Sequence, residues 1–279
     1  MQTDLTKKLL KRFDRLKSNR QNWESHWQEV ADYMQPRKAD VTKSRSKGDK
    51  RTELIFDSSP LQSVELLAAS LHGMLTNPST PWFTLRFKDE EIDNEDEAKL
   101  WLEASTDAMY TAFNRSNFQQ EIFELYHDLI TFGTAAMFIE EDDEDILKFS
   151  TRHINEIFIA ENDKGRIDTV FRKFSLSARA VLQKFGDVSV NIATKANKDP
   201  YEEVEILHAV YPRSDFDPKK QDKQNMPFES VYLDAESGDE LSVSGFREFP
   251  FVVPRYLKAS HEIYGRSPAM TALPDVKML

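Results

Sequence analysis

The chain has 279 residues, 39% of them hydrophobic and 30% charged, with a mean hydropathy of −0.60; it can bury a sizeable core as one large or two small domains, which excludes a peptide or a disordered tail. The absence of cysteine excludes disulfides, thiolate catalysis and sulfur-built zinc sites, and agrees with a reducing compartment. Net charge is −11 but unevenly placed: residues 1 to 56 hold 14 Lys or Arg against 8 Asp or Glu, a net of +6 that leaves −17 for the rest, so the two regions are expected to meet different partners.

No apolar run approaches the roughly 18 residues needed to span a bilayer, and the charged, amphipathic start lacks the apolar core of a signal peptide. The chain is therefore expected to stay in the cytosol. Thr3 to Met34 contains no Gly or Pro and places Leu9, Phe13, Leu16, Trp23, Trp27, Val30 and Met34 at near-heptad spacing. It predicts one long helix. Arg20 interrupts the stripe, which favours a helix lying on a domain or a neighbour over a free coiled coil. Trp23 and Trp27 could stack on bases, but their helical spacing favours packing. Pro36 ends the helix.

Arg37 to Arg51 carries Arg37, Lys38, Lys43, Arg45, Lys47, Lys50 and Arg51 against two acidic residues, with no apolar period. A mobile surface loop is expected, either solvated or touching another subunit, with contact to nucleic-acid phosphates as the sharper reading.

The best-specified stretch is Ile55 to Phe87. Ser58 or Ser59 can cap a helix whose first position is Pro60. Leu61, Val64, Leu67, Ala68, Leu71 and Leu75 form its apolar stripe. Pro78 and Pro81 then enforce a stiff turn, and Trp82, Phe83, Leu85 and Phe87 read as a short strand. Pro60, Leu67, Leu71, Pro78, Trp82 and Phe83 are the expected structural anchor.

The acidic connection Asp89 to Glu97 leads to a helix ending near Asn114, with Asn94 as its cap and Leu100, Trp101, Ala104 and Ala108 on its buried face. Asn117 and Gly133 bracket a second helix, Phe118 to Phe132, expected to lie antiparallel to the first. From Thr134 the apolar period changes to that of strands. Thr134 to Glu140 and Ile146 to Thr151 predict a hairpin, and Ile154 to Ala160 with Ile167 to Ser175 a second strand pair. Ser177 and Gly186 bound a short helix, after which Val204 to Tyr211, Glu229 to Asp234 and Glu240 to Phe246 continue as strands. The fold class is α+β.

The sequence carries no signal for catalysis. His26, His72, His127, His153, His208 and His261 stand singly, outside metal-ligand spacings. Glu140 to Asp145 lacks the alternating ligands and central glycine of a calcium loop, so a solvated turn is the reading. Neither phosphate-binding glycine loop occurs, and Gly265-Arg266-Ser267-Pro268 suits a helix start better than a nucleophile elbow. No enzyme, metal or cofactor is expected.

One family resemblance runs through the chain in order. Trp23 and Trp27, Ala31 to Pro36, Phe56-Asp57-Ser58, Leu75 to Pro78, Trp82-Phe83, Tyr264 to Ala269 and Ala272 to Lys277 resemble the portal, or head-to-tail connecting, proteins of short-tailed bacteriophages; Asp142 to Phe251 matches only loosely. The resemblance implies a structural subunit of a homo-oligomeric ring of twelve copies at a capsid vertex. Double-stranded DNA passes through such a ring during packaging and ejection, and a tail attaches to it. Implied partners are terminase, capsid and scaffolding proteins, and tail adaptor proteins; implied locations are the virion and, during assembly, the host cytoplasm. It also implies that the sequence is an N-terminal portion, divided into a mainly helical wing part (1–133), a strand-rich wing part (134–263) and the start of a stem (264–279). The alternative is a nucleic-acid-binding adaptor using the basic loop, with a metal-dependent nuclease behind it. In the conduit reading, DNA contact is weak, sequence-independent and confined to that loop.

Overall fold

The computed structural model describes residues 4–43, 45–46, 48–186, 189–220, 222 and 224–279. Its helices are α1 (Asp4–Met34), α2 (Ser59–Leu75), α3 (Glu90–Asp93), α4 (Asp96–Arg115), α5 (Phe118–Phe132), α6 (Ala178–Phe185), α7 (Val190–Lys198) and α8 (Pro268–Val276). Its strands are β1 (Ala136–Asp142), β2 (Ile146–Arg152), β3 (Ile157–Glu161), β4 (Ile167–Ser177), β5 (Glu203–Pro212), β6 (Phe228–Asp234), β7 (Glu240–Phe246) and β8 (Phe251–Val252). The architecture is α+β, as expected. The described residues form two compact units, Met1–His26 with His153–Phe251 and Trp27–Arg152 with Val252–Leu279. Each unit is assembled from two separate segments, whereas the expected divisions near 133 and 263 followed element type.

The first unit is built on an antiparallel sheet in the order β3-β4-β5-β6-β7, so every strand pairs with its sequence neighbour. On one face, Leu9 and Phe13 of α1 pack with Phe158, Phe171, Leu207 and Val231. On another, α6 and α7 bury Ala178, Val181 and Ile192 with Val204 and Ile206. Ser177 caps α6 through the Ala180 amide, as read from the sequence, and Gly186 follows it with φ +75. No sequence expectation covered α7.

Arg20 does not break the α1 stripe; it belongs to it. Only 2% exposed, its guanidinium lies 3.7 Å above the Phe158 ring and donates to the carbonyls of Ile154, Asn155 and Ile157 at 2.8, 2.9 and 2.6 Å, and to Glu24. A planar cation with five donors can satisfy a cluster of carbonyls that no apolar side chain could.

In the second unit, α2 and α4 pack on α5, and β1 pairs antiparallel with β2 in the register Ala136↔Arg152 to Asp142↔Ile146; β8 joins β1 as a third strand. The hairpin therefore forms where expected. Three helix expectations are corrected. Asn94 does not cap α4: Glu95 occupies that position, the preceding turn α3 is capped by Asp89, and the Asn94 side chain donates to the Glu90 carbonyl. The buried face of α4 is Leu102 and Thr106, while Leu100 and Trp101 are 67% and 60% exposed and Ala104 and Ala108 are also exposed. Leu75 lies 54% exposed at the end of the α2 stripe.

Candidate functional site: the basic loop and the aromatic anchor

Both sequence-designated regions lie in the second unit. The basic loop is held by a polar core that begins with buried Gln28 on α1. Its amide nitrogen donates to Asp32 (3.0 Å) and to the Ala39 carbonyl (2.6 Å), and its amide oxygen accepts the backbone amides of Val41, Thr42 and Lys43 at 3.0, 2.8 and 3.2 Å. One side chain thus does for the loop what a strand ladder does elsewhere, satisfying successive backbone donors.

The loop's cations turn to carboxylates on the same unit. Lys43 and Arg45 meet Asp32 at 2.6 and 3.3 Å. Lys38 sits between Glu124 and Asp128 of α5, 2.6 Å from each, and Arg37 reaches Glu124 at 2.9 Å. Arg51 pairs with Asp40 at 2.5 Å and donates to the Arg37 carbonyl at 2.7 Å. Asp32 and Asp128 are 6% and 1% exposed, so these pairs satisfy buried charges that would otherwise be costly. Lys50 is exposed and carries no ion pair among the described residues, and Lys47 lies outside them. Despite the loop, the second unit has 17 Lys or Arg against 27 Asp or Glu, a net of −10. Burial tends to raise the Glu124 pKa, but the Lys38 hydrogen bond and the charges of Lys38 and Arg37 outweigh it and hold the carboxyl below its ordinary range. Burial also lowers the pKa of His127, 3.1 Å from Glu65.

In the anchor, α2 starts as a proline-bearing helix, but neither serine caps it with its side chain. The helix begins at Ser59, one residue before the expected Pro60, with Ser58 in the capping position, and Asp57 ahead of it accepts the Ser59 amide at 2.6 Å. Pro60, Val64 and Ala68 are buried, whereas Leu67 and Leu71 are half-buried; Leu67 lines a shallow apolar groove of about 240 Å³ with Pro60, Ile130 and Ala269. Pro78 is exposed, in a turn where Asn77 accepts the Ser79 amide at 2.8 Å.

Trp82 to Phe87 forms no strand and lies in no regular element, which overturns the sequence expectation. Its partner is a helix. The Tyr110 hydroxyl on α4 accepts the amides of Trp82 and Phe83 at 2.6 and 2.7 Å and donates to the Phe83 carbonyl at 3.0 Å, filling its hydrogen-bonding capacity. Thr106 and Asp93 accept the amides of Leu85 and Phe87 at 3.3 and 3.0 Å. Trp82 stacks on Phe118 at 5.9 Å, Phe83 stacks on Tyr110 at 4.5 Å, and Phe113 links the group at 4.7 Å from Phe118. Alternating aromatics mark a pleated, half-buried surface; here side chains of a helix replace the neighbouring strand.

A third group of residues was missed as a site by the sequence reading, although its motif stood out. Gly133 ends α5 with φ +75, and its backbone packs directly against that of Gly265. The Gly265 amide donates to Thr134 (2.8 Å), Ser267 donates to the Thr131 carbonyl (2.8 Å) and accepts the Met270 amide as the cap of α8. Trp27 donates from its indole nitrogen to the Phe132 carbonyl at 3.0 Å and meets Tyr264 edge-on at 5.0 Å. The signal was there in the paired glycines, but nothing local said that they touch.

In these regions the hydroxyls of Tyr110, Thr106 and Ser267 bond to backbone groups. Among the described residues, no group of three or more His, Asp or Glu is placed to hold a metal, and no helix is long and apolar enough to cross a membrane.

Residues 6–279 match the family described as bacteriophage head to tail connecting protein. The chain is 34% identical to the probable portal protein of Bordetella phage BPP-1 and 34% identical to the portal protein of Salmonella phage epsilon15, each alignment covering 98% of this chain and 50% of the relative. It spans about half the length of these curated relatives. With the family match reaching from α1 to the last residue, and the Trp27, Tyr264 and Gly265 motif residues packed together as one structural knot, the chain belongs to the bacteriophage head to tail connecting protein family.

Proposed function

We propose that the chain is part of a portal subunit: a homo-oligomeric ring at one capsid vertex through which double-stranded DNA enters and leaves and to which the tail attaches. The observation that carries this reading is the continuous similarity to two portal proteins over nearly the whole chain. Such a subunit works by geometry and electrostatics. A closed ring supplies a channel and docking surfaces without making or breaking covalent bonds, so no ATPase, nuclease or protease activity is assigned to it. Packaging energy then comes from a separate terminase, while capsid, scaffolding and tail adaptor proteins meet the ring. Twelve copies are the proposed number. The virion is the proposed location, after assembly in the host cytoplasm. The division into helical wing (1–133), strand-rich wing (134–263) and stem start (264–279) belongs to the same proposal.

The net charge of −10 on the second unit suits a conduit that must not grip a polyanion, and the paired cations of the 37–51 loop suit a brace within the subunit. Electron microscopy of the purified protein tests the reading. Closed rings with a central channel are expected; a monodisperse monomer that cleaves DNA or turns over ATP would overturn it.

A further inference from the structure

Two surface features of opposite character are left over once the packing of each unit is accounted for. The first is a basic ridge on α1. Lys7, Lys8, Lys11, Arg15 and Lys17 are all exposed, and none has an ion pair or hydrogen bond among the described residues. At 100° per residue, Lys7, Lys11, Arg15 and Lys8 fall within about a third of the helix circumference, on the side away from Leu9 and Phe13. Asp14 borders this ridge and Arg12 lies 5.2 Å from the Tyr211 ring.

The second is an apolar patch with an acidic border. Leu100 is 67% exposed and Trp101 60%; Trp101 stacks on Phe87 at 5.8 Å, and Ile92 is also exposed. Residues 89 to 97 surround these side chains in sequence with seven acidic residues, of which all but Asp93 are exposed. Contiguous exposed aromatic and aliphatic side chains rimmed by charge are the make-up of a protein interface, where a central Trp is the commonest energetic anchor.

We infer that the Phe87–Trp101 patch of one copy docks against the basic α1 ridge of a second copy. Charge complementarity selects this occupant: the seven carboxylates of residues 89 to 97 outnumber the neighbouring Arg86, Lys88 and Lys99, and the exposed cations lacking partners on α1 are their counterpart within the same sequence. Lysine stems supply aliphatic surface against the Trp101 and Leu100 side chains while their ammonium groups reach the acidic rim. A phosphate backbone is disfavoured as the occupant of the ridge because the chain as a whole carries −11, which opposes approach to a polyanion. Because the two surfaces differ, the contact is head-to-tail, the type that closes into a ring when the rotation allows. The inference rests on the ring reading and names one contact that builds it.

The test uses the full chain and two variants, both at exposed positions so that the fold is retained, checked by circular dichroism. Leu100→Ser with Trp101→Ser spoils the patch; Lys7→Glu with Lys11→Glu and Arg15→Glu spoils the ridge. In sedimentation velocity each variant alone should associate at least ~30-fold more weakly than the unchanged chain, the scale of losing a central anchor. Mixed, the two should form a one-to-one heterodimer that grows no further, since each retains one intact surface. Association of the unchanged chain should also weaken between low and high salt. Variants that assemble like the unchanged chain, or a mixture that stays monomeric, would overturn the contact. So would loss of duplex DNA binding by the ridge variant with assembly intact. Rings that persist in both variants refute this contact and leave the ring reading standing; an unchanged chain that never associates refutes the contact, and the microscopy then judges the ring.

Discussion

Replacing Gly265 by alanine tests the knot between α5 and the segment before α8. A Cβ placed there would meet the Gly133 carbonyl oxygen far inside van der Waals contact, with Arg255 Cβ at 3.0 Å and the Tyr256 amide nitrogen at 3.2 Å. These neighbours are backbone or Cβ atoms, so no flexible side chain can give way. The strands of chain must separate, and the bonds at stake are Gly265 to Thr134 (2.8 Å) and Tyr256 to Gly133 (2.9 Å). Overpacking of a tight site costs about 1–3 kcal/mol and each lost hydrogen bond about 1 kcal/mol, so a loss of about 3 kcal/mol is expected. Gly73 is the control: it lies inside α2, with nothing within 4 Å of its added Cβ. Gly73→Ala should therefore stabilise, by about 0.5–1 kcal/mol through helix propensity. Urea titration followed by tryptophan fluorescence measures both, since Trp27 packs on Tyr264 and reports the knot. Gly265→Ala within ~0.5 kcal/mol of the unchanged chain, or an equal loss in both variants, would refute the close-approach argument.

Four further outcomes follow from single contacts. Tyr110→Phe leaves the amides of Trp82 and Phe83 without their acceptor; a loss of about 1–2 kcal/mol is expected, the segment being partly solvated, with faster hydrogen exchange at those two amides as the specific readout. Ile146 holds φ 71 as the first residue of β2 and is 51% exposed, so Ile146→Gly should raise the melting midpoint by relieving about 1 kcal/mol of backbone strain. Gln28→Ala removes the acceptor of three loop amides and should cost about 2–3 kcal/mol while increasing proteolysis between residues 40 and 50. For pH, burial holds the folded His127 pKa below its ordinary value of 6.5, so the unfolded chain binds the proton first and stability falls as pH drops below about 6.5. Glu124, held below its ordinary value of 4.5, adds a second loss below about 4.5 as its bond to Lys38 is protonated away. His127→Gln should remove the first stage and keep the second in acid denaturation curves; an unchanged first stage would refute the assignment.

The sequence by itself determined the elements whose signals are local. Ser177 and Gly186 bracket α6, Gly133 ends α5, and the alternation after residue 203 marks β5, β6 and β7, because caps and periodicity depend only on residues within a turn or two. The ordered motifs likewise sufficed to indicate the family. What only the tertiary structure decided is which surface each element meets. Trp82 to Phe87 has the alternation of a strand, and whether a strand or α4 receives its amides is not written in those six residues. Arg20 looked like a gap in an apolar stripe because a sequence does not show the three carbonyls that its guanidinium reaches. The 37–51 loop looked like free positive charge because most of its carboxylate partners sit on other elements, Asp128 being 90 residues from Lys38. Leu100 and Trp101 followed a helical period yet stayed exposed: periodicity finds a face, and only the arrangement of neighbouring elements decides whether that face is covered within the subunit.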